Sequence, residues 1–326
     1  MTTDLHDLPR LGEANLKLTV LRRRIAADGV VVLELGLPGG GDLPEWTPGA
    51  HIDLDLPNGL MRQYSLCGSP GNRGTWTIGV LREPESRGGS AYVHDRLQEG
   101  VAVNVIGPRN HFQLEASSNY IFIAGGIGIT PILPMIEAAE AAGATWKLAY
   151  GGRTRSSMAF LERLAAWSNH VSIQPFDEVG LIDLASLLDQ PAPDMVIYAC
   201  GPEPLLEAIE ARCQSWPHGA LHVERFSAKP LEPASFTGAF EVELAGDGRV
   251  FTVLPDQSIM EVLEDAGIDV LCSCREGVCG SCETPLVAGS ADHRDSVLSD
   301  DEKARNDRIM ICVSRSRTGD RLLLGL

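Results

Sequence analysis

Four cysteines fall within eleven residues of this chain, Cys272 to Cys282, and Cys312 follows after 29 intervening residues. Three of the four form Cys274-Arg-Glu-Gly-Val-Cys279-Gly-Ser-Cys282. With Cys312 this is the C-x4-C-x2-C…C spacing of a plant-type [2Fe-2S] site, so Cys274, Cys279, Cys282 and Cys312 are the expected iron ligands. Gly277 and Gly280 allow the loop to turn so that backbone N–H groups face sulfur. A structural zinc site normally needs two C-x2-C pairs some distance apart, and the loop has one. Disulfides are geometrically awkward at this crowding. Cys272 does not fit the ligand spacing and reads as a bystander near the cluster, while Cys67 and Cys213 read as packed thiols.

The loop occupies only the end of a 326-residue chain, which is long enough for two or three domains. Residues 14–115 show short alternating runs (LKLTVL, VVVLELGL, HIDLDL, TWTIGVL, VAVNVIG) between Gly and Pro turns, with a short helix near Ser90 to Leu97. That pattern predicts an antiparallel barrel or sandwich, and a flavin domain here would be an antiparallel β-barrel. Residues 116–227 alternate strand-like and helical runs, from NYIFIAG to LHVERF, which predicts a doubly wound α/β domain with a parallel sheet. Residues 228–237 (SAKPLEPASFTG lies across them) read as a linker. Residues 238–326 read as an α+β ferredoxin domain of β-grasp type, with strands at AFEVELAG and RVFTVL, a helix at SIMEVLEDAG and a closing strand around RIMICVS.

Two further constellations carry chemistry. In the first domain Arg62, Tyr64 and Ser65 share a strand-like run, and Gly88-Gly89-Ser90 opens the predicted helix. An arginine, a hydroxyl and a glycine-rich helix start together make a phosphate site, and Tyr64 offers a ring to a flat ligand. Each piece alone is an ordinary strand or turn. In the second domain a strand runs into Gly125-Gly126-Ile127-Gly128-Ile129-Thr130-Pro131 and a helix, where a doubly wound sheet binds pyrophosphate. A second strand ends in Cys200-Gly201-Pro202 at the same edge; Cys200 reads equally well as a small buried side chain and as a neighbour of the nicotinamide.

Together these motifs resemble the phthalate dioxygenase reductase and vanillate demethylase reductase group of the ferredoxin-NADP reductase superfamily, over about residues 15–326. The resemblance implies FMN, with Arg62 and Ser90 on its phosphate, Gly88 and Gly89 beside it, and Tyr64, Ser65 and the backbone around Val80 and Leu81 near the ring and ribityl chain. It implies NADH over Gly125, Gly126, Gly128, Thr130, Arg153, Cys200, Gly201 and Pro202. Phe226 looks like the aromatic that covers the flavin until the nicotinamide displaces it, with plain core packing as the competing reading. Ser65, Cys200 and Phe226 are thus expected nearest the reacting atoms. The chain departs from the phthalate reductase pattern at Arg153-Thr154-Arg155-Ser156, where an acidic residue would suit a ribose 2′-hydroxyl; two arginines leave NADPH open.

The resemblance makes the acceptor a Rieske-type non-haem iron oxygenase acting on an aromatic or similar small compound, engaged transiently by a monomeric reductase. Reduction of another terminal acceptor and a flavin and iron-sulfur redox sensor are the alternatives. A net charge of −17 excludes nucleic acid as a partner, since phosphate binding needs clustered Lys and Arg. Residues 238–326 hold 17 acidic against 9 basic side chains, which suits a basic patch on an acceptor or simply solubility. No stretch is apolar enough to span a membrane and the start has no basic segment followed by an apolar run, so the chain reads as cytoplasmic.

Overall fold

A computed structural model describes residues 14–84, 88–229 and 233–326. Residues 230–232 of the expected linker lie outside the described residues. The described residues up to Glu224 form one compact unit, and those from Arg225 to Leu326 form a second.

The first unit opens with six antiparallel strands, β1 (Ala14–Ala27), β2 (Val30–Gly36), β3 (His51–Leu56), β4 (Leu60–Ser65), β5 (Trp76–Leu81) and β6 (Ala102–Arg109). They form one sheet in the order β4-β3-β6-β1-β2-β5. The sheet curls until a single bridge, Leu66 to Ile78, joins its two edges and completes the expected barrel. Alternation sends Leu18, Val20, Leu33, Leu35, Ile52, Leu54, Ile78 and Val103 into one apolar core. The helix α1 (Gly89–Arg96) lies against β5 and β4.

A five-stranded parallel sheet follows, from β7 (Asn119–Gly125), β8 (Thr145–Gly152), β9 (Val171–Pro175), β10 (Met195–Cys200) and β11 (Leu221–Glu224), in the order β11-β10-β7-β8-β9. Its helices are α2 (Ile129–Ala141), the one-turn α3 (Leu161–Leu164), α4 (Phe176–Val179) and α5 (Leu184–Leu188), and α6 (Glu203–Arg212). The run NYIFIAG is apolar at nearly every position because β7 is covered on both faces: Tyr120 and Phe122 enter one core, Ile121 and Ile123 another. The helix expected from MAFLERLAAW shortens to α3 and a following 3-10 turn. Arg163 on α3 holds α2 and the barrel together, pairing with Glu137 at 2.6 Å and donating to the Cys67 carbonyl.

In the second unit a five-stranded sheet has the order β13-β12-β18-β14-β16, from β12 (Phe240–Leu244), β13 (Val250–Val253), β14 (Glu283–Ala288), β16 (Arg308–Met310) and β18 (Leu322–Leu324). A second ladder pairs β15 (Ala291–Asp292) with β17 (Arg315–Ser316). Serine capping boxes start both helices, α7 (Ile259–Asp265) and α8 (Asp300–Arg305). The closing strand differs from the one read around RIMICVS: β16 stops at Met310, Cys312 sits in a turn, and β18 takes the central place. The short apolar LLL near the C-terminus pairs with both β12 and β14 and takes that place.

The barrel buries one ion pair, Arg109 with Asp53, both under 10% exposed. Asp53→Ala would leave a buried guanidinium without its carboxylate and should cost about 3–5 kcal/mol in urea unfolding.

Candidate functional site

The strand β4 ends where the barrel meets the parallel sheet. Ser65 pairs with His51 and Tyr64 with Ile52 across β3. The Arg62 side chain crosses the first turn of α1, lying so close to Gly89 that a Cβ there would overlap its Nε. Gly88, the N-cap of α1, has φ +96, and the first turn of the helix holds no acidic residue. Arginine and the N-terminal end of the helix therefore stand together, as an anionic group requires. Ser90 is buried, and its Oγ accepts from the Glu83 N–H at 3.1 Å. Burial pushes the Tyr64 phenol well up, so its ring is a neutral surface. Val80 lies on β5 opposite Val31, and its carbonyl already meets the His94 ring at 2.9 Å; Leu81 lies opposite Val30.

The glycines of the parallel sheet serve close approach. A Cβ on Gly128 would strike the backbone of Cys200, one on Gly125 would strike Pro202 and Leu205, and one on Gly201 would come within 3.0 Å of Gly125. The turns after β7 and β10 thus pack backbone against backbone at the carboxyl edge of the sheet, and Gly126 takes the left-handed φ of +54. Between β7 and α2 runs one 3-10 turn, Gly126–Gly128. Thr130 is buried, donates to the Ile127 carbonyl at 2.9 Å and sets its methyl against Gly79 of the barrel. The edge is therefore fixed to β5.

Register then assembles a group that the sequence motifs did not name. Ala124, Cys200 and Glu224 lie side by side on β7, β10 and β11. The Glu224 carboxyl reaches Ser65 of the barrel by a side-chain hydrogen bond and stands 4.0 Å from the Cys200 sulfur. Part of its surface stays open, yet its surroundings are dense enough that burial pushes this carboxyl up to about 8, against the smaller opposing effect of Ser65. Burial, then the Glu224 charge, pushes the Cys200 thiol well up. Ser65 and Cys200, expected at different motifs, are joined by Glu224. The sequence marks Glu224 only as an acidic residue closing the last parallel strand, LHVE, with no sign of its partners.

Arg153 and Arg155 follow β8. Arg155 pairs with Glu178 at 2.6 Å, whereas Arg153 is exposed and makes no ion pair among the described residues. Phe226 belongs to the second unit, two residues beyond β11, and is 44% exposed, so core packing does not account for it.

In the second unit the cysteine loop has no regular structure. Arg275, Gly277 and Gly280 take φ of +59, +71 and +70. This winding turns the Glu276 and Val278 N–H groups onto the Cys274 sulfur, at 3.3 and 3.5 Å. Hydrogen bonds from Cys279 and Cys312, followed by these amides, push the Cys274 thiol down to about 2. The Cys282 and Cys312 sulfurs are 3.1 Å apart. Ser296 braces the loop by donating to the Gly277 carbonyl at 2.9 Å. Among the described residues no trio of His, Cys, Asp or Glu closes on a single-ion site; the sulfurs stand in overlapping pairs, with amides aimed at sulfur, a donor set that fits a two-iron cluster.

Residues 242–317 match the family model of a 2Fe-2S iron-sulfur cluster binding domain, and residues 122–211 match that of an oxidoreductase NAD-binding domain. Phthalate dioxygenase reductase of Burkholderia cepacia is 38% identical over 94% of this chain and 97% of its own length. The chain belongs to the phthalate dioxygenase reductase family. Phenoxybenzoate dioxygenase subunit beta of Ectopseudomonas oleovorans is 43% identical over 90% of this reductase and 92% of its own length. A solved phthalate dioxygenase reductase, described as a modular structure for electron transfer from pyridine nucleotides to [2Fe-2S], is 37% identical with a TM-score of 0.70, covering 96% of this chain and 98% of that one. An intact self-sufficient cytochrome P450 monooxygenase is 42% identical with a TM-score of 0.91, covering 96% of this chain but only 41% of the longer one. This reductase is accordingly an iron-sulfur oxidoreductase with a nicotinamide domain and a C-terminal plant-type ferredoxin domain. Among the described residues no helix is long and apolar enough to cross a membrane.

Glu224 should govern the pH dependence of reduction by NADH. Its raised value keeps it protonated below about pH 8; above that a negative charge arises beside Ser65 and Cys200. Anaerobic stopped-flow rates should fall as pH rises through this range, and Glu224→Gln should remove that step. The same carboxyl weakens folding as pH rises from its unfolded value toward about 8, so the Gln variant should gain on the wild type in stability over that window.

Proposed function

We propose that the protein is the reductase component of a two-component oxygenase, moving electrons from NADH through FMN and its own [2Fe-2S] cluster to a Rieske-type terminal oxygenase. The observation that carries this reading is the joining of Ser65, Cys200 and Glu224 at the carboxyl edge of the nicotinamide domain, beside the Arg62, Gly88–Ser90 phosphate cradle. FMN, when bound, takes up a hydride and gives electrons back singly, which a one-electron cluster needs from a two-electron donor.

The residues divide that work. Arg62, Ser90 and the N–H groups at the start of α1 hold the FMN phosphate; Tyr64 and the β5 backbone at Val80 and Leu81 lie along ring and ribityl chain. The turn Gly125–Gly128 and the Cys200-Gly201-Pro202 turn bring the dinucleotide onto backbone, the two turns packing together because Gly125, Gly128 and Gly201 carry no side chain. Ser65 and the neutral Glu224 supply hydrogen bonds at the reacting edge, and neutral Cys200 keeps that edge free of charge. In the ferredoxin domain Cys274, Cys279, Cys282 and Cys312 hold the cluster. On the same reading the protein is a cytoplasmic monomer that meets its oxygenase in brief encounters steered by the acidic C-terminal domain.

A second acceptor class has specific support. Tetrachlorobenzoquinone reductase of Sphingobium chlorophenolicum is 39% identical over 96% of the chain, and the P450 fusion above carries a closely similar module. Anaerobic titration with NADH should bleach a flavin and give a rhombic reduced [2Fe-2S] EPR signal, and the reduced protein should then drive product formation by a Rieske oxygenase and not by a P450 or quinone. A protein with no flavin, or with reduction uncoupled from any oxygenase, would refute the proposal.

The donor can be decided at β8. Arg153 is the exposed cation there, while Glu178 occupies Arg155. If Arg153 receives a 2′-phosphate, Arg153→Ala should raise the KM for NADPH about tenfold, roughly 1.4 kcal/mol, and leave that for NADH nearly unchanged in steady-state assays.

A further inference from the structure

Five thiols, not four, meet in the ferredoxin domain. Cys274 engages Cys279 and Cys312, while Cys282 and Cys312 touch each other at 3.1 Å. Cys272, outside the motif, engages both Cys282 and Cys312, and the Arg275 N–H donates to its sulfur, as the Glu276 and Val278 N–H groups do to Cys274. Packing divides the five in the same way. Cys282 and Cys312 lie in the apolar core of the domain and Cys272 packs against that core, whereas Cys274 and Cys279 stand outside it.

A [2Fe-2S] cluster takes two thiolates on each iron. Cys282 and Cys312 touch directly, which leaves Cys274 with Cys279, although Cys274 also reaches Cys312; the hydrogen bonds of Cys272 run to Cys282 and Cys312, with Cys274 a lesser neighbour. We infer that Cys272 is a reserve cluster ligand, able to replace Cys282 or Cys312 on the iron that those two hold, but unable to replace Cys274 or Cys279. The exchange is redox-neutral: the Cys272 thiol gives its proton to solvent and binds iron as a thiolate, while the displaced sulfur takes up a proton. A loop that can keep its iron when one buried sulfur is lost, to oxidation for instance, resists a route by which ferredoxin domains are inactivated.

The inference rests on the cluster reading, so the full-length wild type is the control in the same experiment: if it held no [2Fe-2S], that reading would fail, not this one. Cys272→Ala should retain the wild-type iron, sulfide and EPR signal. Cys282→Ala and Cys312→Ala should each keep at least about half the iron, with a shifted rhombic EPR signal, and adding Cys272→Ala to either should remove nearly all of it. Cys274→Ala and Cys279→Ala should lose the cluster whatever stands at position 272. Native iodoacetamide labelling followed by peptide mass analysis gives an independent readout: Cys272 should be alkylated in the wild type and protected in Cys282→Ala. If Cys282→Ala and Cys312→Ala lost iron as completely as Cys274→Ala, folded or not, or if removing Cys272 from them changed nothing, the inference would be overturned.

Discussion

The nicotinamide half of this reductase depends on two backbones touching. Gly128 lies against the peptide of Cys200, and Gly125 against Gly201, so the turns that follow β7 and β10 share one floor. Any Cβ at these positions would spread the turns, and with them the parallel register that lines up Ala124, Cys200 and Glu224. Thr130 passes the same constraint to the barrel by setting its methyl against Gly79. A hydrogen bond between Ser65 on one sheet and Glu224 on another can form only because that chain of close contacts fixes both ends.

Burial is what makes the assembled group useful. An exposed carboxylate beside a thiol would be charged at neutral pH and would oppose negative charge building up on any acceptor reduced next to it. Dense surroundings hold Glu224 protonated and Cys200 neutral. The cost falls on stability above the unfolded carboxyl's titration, and it is the sort of cost that reactive edges carry.

The ferredoxin half answers a different demand. Thiolates repel one another, so a loop that gathers five sulfurs needs either metal or compensating donors. The left-handed turns at Arg275, Gly277 and Gly280 supply the donors by rotating amides toward sulfur. Arg275 is not a glycine, and its φ of +59 costs energy that the loop accepts in order to present these N–H groups.

Legibility in the sequence followed the range of the interaction. The cysteine loop, the Arg62-Gln-Tyr64-Ser65 strand and the two glycine turns are local, and their spacing alone located them. The strand-helix alternation gave the order of modules, yet RIMICVS misled as a closing strand, because local apolarity cannot tell a ladder from a turn that carries a ligand. Glu224 was illegible for a related reason. Its partners lie 24 and 159 residues away, at Cys200 and Ser65, and nothing within LHVERF says that a charged residue there meets both. Cys272 is a different case: spacing sets it aside because the motif has no fifth place, and it lies packed against the core that holds Cys282 and Cys312. A spacing rule records which residues one reference arrangement uses; contact decides which residues can reach the iron, and the two agree only where the chain has no spare sulfur nearby.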